Sequence, residues 1–400
     1  MIYSRIIAVA KNPSSCLKSD FMERKAIYST LNDVDNSAEW DFSETTDEVE
    51  LHSIHPYPAK MIPALARKAI LDYSKPGDIV LDPFAGCGTV LLESSLMGRP
   101  SIGIDTNPVS ILISKAKTSL YSEDDINQLC VFLNDFDSKI EEVKPIIPKY
   151  QSIDYWFDPN AIEDLGAIRG YIECLSGSAR NLALCVFSSI IVRVSYQDSD
   201  TRYSRKIYKY EPKSARSLYK SKLESAIEAV RKSAPSISYS SHLFLQDGRK
   251  ISNISDSSVS LIVTSPPYLN AYDYHKYHRH RIHWLGYDPV FTRTNEIGQH
   301  DQFTKKFATP DQYFEDMTQC FKEWYRVLKD EGMCIIIVGD AIVSGNPVPV
   351  ADYFISIMTN IGFTVEKHWI RNLNVNRKSF NAQARINQEH VLLFKKRPTS

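Results

Sequence analysis

The 400-residue sequence is short of the features that mark several large classes of protein. Its seven cysteines (Cys16, Cys87, Cys130, Cys174, Cys185, Cys320 and Cys334) are scattered, with no C-x-x-C pair. An odd, dispersed set does not suit a disulfide framework, and a reducing cytoplasm is the natural setting. Net charge is only −1, which neither suggests nor excludes a nucleic-acid partner, so the distribution of charge has to carry that argument. The opening MIYSRIIAVAKNPSSC has a short apolar run, too brief for a membrane span and poorly built for a signal peptide. No membrane partner is expected, and no internal repeat is visible. Gly-Lys-Ser/Thr is also missing, so a P-loop phosphate cradle is not supported.

What is present is ordinary globular material: 43% hydrophobic and 24% charged residues, enough for one large domain or two smaller ones. Residues 1–50 are polar and end in acids (Asp41, Glu44, Asp47, Glu48, Glu50), which reads as an arm or a loosely packed extension. Over 51–121 the pattern alternates. Helical spacing at 61–73 is followed by a buried strand at 79–81, a helix at 89–97 stopped by Gly98, and a strand at 101–104. Asn107-Pro108 then caps another helix. Residues 122–239 break the alternation with helical patterns at 165–175, 182–194 and 218–230. From 240 to 400 short strands return at 242–245, 259–263, 334–338 and 391–394, with helices at 310–328 and 350–361. Strands alternating with helices predict an α/β chain, a doubly wound, mostly parallel sheet with a helical insertion at 122–239. Ligands in such sheets bind at the carboxyl ends of the strands, and those ends carry Asp82, Asp105, Asp247, Thr264-Ser265 and Asp340.

Two motifs carry chemistry. In LDPFAGCGT (81–89) a buried strand ends in an acid, and Gly86 and Gly88 permit a tight turn into a helix. Such a turn presents backbone N–H groups to a polar cofactor. Position 91 is Leu91, not the third glycine of a dinucleotide fingerprint, so an oxidoreductase is disfavoured. Asp82-Pro83-Phe84-x-Gly86-x-Gly88-Thr89 resembles the cofactor motif of the S-adenosylmethionine-dependent DNA amino-methyltransferases, the cytosine-N4/adenine-N6 family of TSPPY type. The resemblance implies a Rossmann-like class I methyltransferase fold and S-adenosylmethionine as cofactor. Asp82, Phe84, Gly86, Gly88 and Thr89 would surround it, Asp105 would hold the ribose hydroxyls, and Asp247 would stand near the adenine amino group. HPYPAKMIP (55–63) is similar to the segment that closes over the methionine end.

The second motif is Thr264-Ser265-Pro266-Pro267-Tyr268 after an apolar strand. An exocyclic amine offers N–H donors and therefore needs acceptors. Ser265 Oγ and the Pro266 carbonyl can serve, Pro267 helps fix the backbone, and Tyr268 offers a flat face to an extruded base. In the resembling enzymes Ser-Pro-Pro-Tyr accompanies cytosine-N4 activity, while Asp or Asn at position 265 accompanies adenine-N6 activity. Carbon-5 methylation would need a cysteine after a proline, and no Pro-Cys pair exists. Asn270, Asp273 and Tyr274 match the continuation of the family's pattern and are candidates to line the base pocket. RINQEHVLLFKK (385–396) is similar to the family's closing strand.

In the resembling family this order of motifs implies a target-recognition region between them. Around 202–222 the chain is basic (Arg202, Arg205, Lys206) with interleaved Tyr203, Tyr208, Tyr210 and Tyr219, the composition of a phosphate-contacting surface with stacking groups. His275 to Arg281 follows the catalytic motif directly. It is too cationic for a metal site, so no metal is expected, and Lys276, Arg279 and Arg281 are read as contacts to DNA. The expected function is methyl transfer to N4 of cytosine in duplex DNA with the base flipped out. Adenine-N6 methylation, transfer-RNA guanine-N2 methylation and an inactive nucleic-acid-binding module are the alternatives. A companion restriction nuclease in a restriction-modification system, the recognised site and the oligomeric state are left open.

Overall fold

In the computed structural model residues 34–35, 38–42, 49–303, 309–372 and 388–398 are described. Residues 1–33, the acids Glu44, Asp47 and Glu48, and 385–387 of the closing segment lie outside them.

Apolar side chains on both faces of a strand require cover on both faces, and the central strands of this chain have that pattern. The sheet strands are β1 (Val34–Asp35), β2 (Val80–Asp82), β3 (Ser101–Asp105), β4 (His242–Leu245), β5 (Val259–Thr264), β6 (Leu328–Val338), β7 (Phe363–Asn372) and β8 (Gln388–Lys396). They lie side by side in the order β1-β7-β8-β6-β5-β2-β3-β4. All pairings are parallel except those of β8, which runs antiparallel between β6 and β7.

Side-chain alternation sorts the strands onto two cores. Val80, Leu261, Val263, Ile335, Ile337, Val391 and Leu393 face the helix Pro63–Tyr73. Leu81, Ile262, Ile336, Val338, Leu392 and Phe394 face Asp311–Val327 and Val350–Ile361. The doubly wound sheet expected from the sequence is therefore present, and every strand anticipated there exists with ends shifted by a few residues. β7 was not anticipated. Its middle carries Glu366, Lys367 and His368, which hide the apolar alternation of a strand near the sheet's edge.

The N-terminal extension is not loosely packed where it is described. Trp40 is fully buried against Trp369 of β7, with ring centroids 5.3 Å apart. A polar surrounding sequence concealed one large aromatic residue that had a core to fill.

The segment 122–239 is helical, as expected, but it is not a body apart. Glu123–Asn134, Pro159–Tyr171, Gly177–Ile191 and Ser214–Ser233 share one apolar cluster with Pro108–Thr118, the helix that follows β3. Within Gly177–Ile191 every residue from Leu182 to Ile191 is buried, because that cluster encloses the helix beyond its first turn. A small antiparallel hairpin, Gln197–Ser199 with Arg202–Arg205, projects from the segment.

Candidate active site

The carboxyl ends of β2, β3, β4 and β5 converge on one cleft of about 880 Å³, counting its open mouth. It is lined by Asp82, Phe84, Gly86, Thr89, Asp105, Asp247 and Ser265, among others, so the structure brings most of the expected cofactor and catalytic residues together.

The turn after β2 is locked by its own acids. Asp82 Oδ1 accepts from the Phe84 amide at 3.1 Å and from Thr264 Oγ1 at 2.7 Å, which ties the end of β2 to the end of β5. Asp105 Oδ2 accepts from the Gly86 amide at 2.8 Å and Oδ1 from the Asn107 amide at 2.7 Å. Gly86 and Gly88 sit at φ +49° and +74°. A Cβ on Gly88 would meet Ser114 Oγ at 2.7 Å and its Cα at 3.0 Å, so no other residue fits without moving backbone. Gly88 caps the helix Thr89–Leu96, whose first residues Thr89 and Val90 line the cleft. Burial pushes the Asp82 carboxyl up to about 7, and burial likewise pushes Asp105 up to about 6 against its two amide hydrogen bonds.

Charge in the cleft is one-sided. Four acids (Asp82, Asp105, Asp247, Glu296) and one lysine (Lys60) line it. A phosphate-bearing ligand would meet carboxylates here, whereas a cationic ligand with hydroxyl donors fits. Asp247 is tempered by Arg249, whose guanidinium holds both its oxygens and also donates to Asp316 at 2.8 Å.

The 264–268 turn borders the cleft. Ser265 and Pro267 line it, while Pro266 is buried behind them. The Pro267 carbonyl accepts from Tyr313 at 2.9 Å, and Tyr268 donates to Glu389 Oε1 at 2.8 Å. The segment after it differs in part from the expectation. Tyr274 lines the cleft, but Asp273 caps the chain at Asp301 and Asn270 Nδ2 donates to the Ile342 carbonyl.

The basic clusters need correction. Arg281 is wholly buried, donating to the Ser188 carbonyl at 3.0 Å and pairing with Asp200, so it cannot touch DNA. His278 and His280 are buried too, His278 against Tyr57 and His280 among Trp156, Phe157 and Tyr203. The helix Arg279–Leu285 turns His280 and Arg281 inward, because its Ile282, Trp284 and Leu285 pack into the cluster formed by the 122–239 helices. Arg279 alone of that run is exposed, while Lys276 is partly covered and paired with Asp273 and Asp301. In the other cluster Arg202, Arg205 and Lys206 are exposed, with Arg205 4.2 Å over the Tyr155 ring. Tyr210 and Tyr219 are not stacking groups for a ligand. Tyr219 is fully buried, and Tyr210 donates to Asp164 at 2.8 Å.

Sequence reasoning missed several lining residues. Thr292, Asn295, Glu296 and Ile297 reach the cleft from a stretch with no recognisable motif. Glu296 accepts from the amides of Tyr274 and His275, fastening that stretch beside the cleft. Tyr57, within the 55–63 segment, lines the cleft and shares a hydrogen bond with Ser110 at 2.8 Å.

Comparison with known proteins agrees with this geometry. A family model described as DNA methylase matches residues 10–116 and 259–400. Among curated proteins, the chain is 28% identical over 268 residues to the type II methyltransferase M.MvaI of Kocuria varians, covering 58% of the chain and 56% of that protein. It is 24% identical over 256 residues to the type II methyltransferase M.BsoBI of Geobacillus stearothermophilus, covering 53% and 48%. A shorter match, 44% over 71 residues and covering 17% and 22%, is to the DNA adenine methyltransferase YhdJ of Escherichia coli (strain K12). The chain thus spans about half the length of the two longer matches.

Proposed function

The chain belongs to the DNA methylase family, and from that premise we propose that it transfers a methyl group from S-adenosylmethionine to the exocyclic N4 of cytosine in duplex DNA. The observation that carries the reading is the pairing of an acid-lined cleft with an acceptor-bearing Ser-Pro-Pro-Tyr turn at its edge. S-adenosylmethionine, when bound, supplies an electrophilic methyl on a positively charged sulfur.

The residues of the chain then bind, orient and exclude water. Gly86 and Gly88 keep the turn open to a ligand, Asp105 accepts from the ribose hydroxyls, and Phe84 and the Asp247 turn flank the adenine. Asp82 and Thr264 hold the cofactor turn in fixed relation to the catalytic turn through their 2.7 Å hydrogen bond. Ser265 Oγ and the Pro266 carbonyl accept from the amine of a flipped cytosine, aiming its nitrogen at the methyl group. Rate enhancement comes from positioning and electrostatics, with no covalent enzyme intermediate. Exposed Arg202, Arg205, Lys206 and Arg279 contact phosphates of the duplex. Cytosine is favoured over adenine because Ser265 stands where adenine-N6 enzymes of the resembling kind carry Asp or Asn.

Incubation with labelled S-adenosylmethionine and, separately, duplex DNA or transfer RNA, followed by nucleoside analysis, tests the proposal. N4-methylcytosine in DNA is the expected product. N6-methyladenine would overturn the base assignment, label in RNA alone would overturn the DNA assignment, and no label in either would overturn the activity. Ser265→Ala should lower methyl transfer far more than cofactor binding, and equal loss of both would remove Ser265 from its assigned role.

A further inference from the structure

The 264–268 turn runs straight into a tight reversal of the chain. The Tyr268 carbonyl accepts from the Ala271 amide at 3.2 Å, so residues 268–271 close a turn directly behind the Tyr268 ring. Asn270 is the third residue of that turn and sits at φ +59°. Glycine takes this conformation freely and asparagine tolerates it, whereas an alanine there is strained. Leu269, beside it, is buried in the same apolar cluster as Tyr313, whose hydroxyl donates to the Pro267 carbonyl at 2.9 Å.

Asn270 also ties the turn to two segments from elsewhere in the chain. Its backbone N–H donates to the Gly298 carbonyl at 3.2 Å, and its Nδ2 to the Ile342 carbonyl at 2.7 Å. A carbonyl can only accept, which fixes the side-chain amide with Oδ1 toward His300. His300 Nδ1 donates to that Oδ1 at 2.7 Å. Ile342 lies in the antiparallel hairpin Ala341–Val343 with Asn346–Val348, and His300 opens the short helix His300–Phe303. At the other end of the ring, the Tyr268 phenol donates to Glu389 Oε1 at 2.8 Å, and Glu389 Oε2 accepts from Arg371 at 3.0 Å between β8 and β7. Tyr268 is thus held at its tip by the sheet and at its root by the turn. Two fixed points set the axis of the ring, where one would let it swing.

We infer that Asn270 is a positioning residue. By shaping the 268–271 turn and clasping it to Gly298, His300 and Ile342, it holds Tyr268 where a flipped cytosine can stack. This rests on the proposed methyl transfer and adds to it a residue whose side chain is spent on protein groups.

Two substitutions at this one position separate the turn from the clasp. Asn270→Gly keeps the positive φ and loses the side-chain hydrogen bonds, while Asn270→Ala loses both. With full-length protein, labelled cofactor and duplex DNA, kcat should fall about threefold in Asn270→Gly, the worth of ordinary hydrogen bonds. In Asn270→Ala it should fall about ten- to a hundredfold, the usual effect of a misplaced contact group. Cofactor affinity should stay within about twofold in both. Glycine outperforming alanine is the telling order, because glycine is ordinarily the more disruptive of the two outside positive φ. Tyr268→Ala combined with Asn270→Ala should be no slower than Tyr268→Ala alone, since Asn270 acts through that ring. Should Asn270→Ala fail to fold by circular dichroism, Asn270→Asp takes its place. It tolerates the same φ and keeps an acceptor for His300, but it loses the donor to Ile342, so its kcat should also fall. Wild-type kcat in the folded variants would overturn the inference, as would alanine matching glycine or multiplying losses in the double variant. Cofactor affinity falling in step with kcat would overturn it too, by assigning Asn270 to the cofactor site. A wild-type protein that binds cofactor yet methylates no nucleic acid would instead overturn the functional reading beneath it.

Discussion

Acidification should weaken cofactor binding through Asp105 well before it unfolds the protein. Asp105 is buried, and that burial outweighs the amide hydrogen bonds from Asn107 and Gly86 and brings its carboxyl up to about 6. Ribose hydroxyls need the ionised form as acceptor, so the apparent dissociation constant scales as one plus the ratio of protonated to ionised Asp105. With a midpoint near 6, affinity is unaffected at pH 8, falls about twofold at pH 6 and about elevenfold at pH 5. The stability effect of the same group has the opposite sign. A carboxyl raised in the folded state binds its proton more tightly there than in the unfolded chain. Between its ordinary value of 3.8 and about 6, Asp105 therefore favours the fold as pH falls, and weaker binding is not unfolding driven by this residue. Equilibrium dialysis with labelled S-adenosylmethionine from pH 8 to 5, with circular dichroism alongside, reads the effect. Asp105→Asn should bind more weakly and without the step. Asp82→Asn should keep the step near 6, since Asp82 is engaged by Thr264 and the Phe84 amide. A constant affinity across the range, or a step that survives in Asp105→Asn, would refute the reasoning.

Other expectations follow from burial. His55, His278, His280 and His368 are held below the ordinary histidine range, chiefly by burial, with His280 near 3 and His368 near 4. Each stays neutral when folded and gains a proton on unfolding below pH 6.5. The stability they contribute is therefore complete above that value and is lost as pH falls, by up to about 1.4 kcal/mol per group per pH unit. Urea midpoints should drop between pH 7 and pH 5, and an unchanged midpoint would count against buried neutral imidazoles. Arg281→Ala should destabilise the fold by roughly 3 kcal/mol, because it strands Asp200 beside a buried space. Arg279→Ala should leave the melting temperature alone, weaken DNA binding and reduce the salt slope by about one; a lowered melting temperature with unchanged DNA binding would remove Arg279 from the duplex contacts. Trp40→Ala should cost about 3–5 kcal/mol in chemical denaturation, the usual penalty for emptying an aromatic core site. A cost near zero would return residues 38–42 to the status of a loose arm.

Much of the cofactor side was legible because its chemistry is local. A strand ending in Asp82, glycines that must adopt positive φ, and an acid ending the next strand are properties of short stretches, and their conformational demands show in residue type. The 264–268 turn was legible for the same reason, since two prolines leave the backbone few alternatives. The basic clusters misled because residue type does not say which way a side chain points. Arg281 and Arg279 are two residues apart on one short helix, and only the packing of the 122–239 helices determines that one is buried and the other exposed.

By itself, then, the amino-acid order determined the alternation of strands and helices, the two turns at strand ends and the kind of ligand those turns suit. Each depends on periodicity and backbone freedom over about ten residues. Only the tertiary structure decided that Trp40 completes a core, that Glu296 reaches the cleft, and that Arg371, Glu389 and Tyr268 form one polar chain. Those depend on contacts between segments up to hundreds of positions apart, and on β8 being threaded antiparallel between β6 and β7. Pairing across a sheet is set by the summed burial of many strands, and no single stretch of sequence records it.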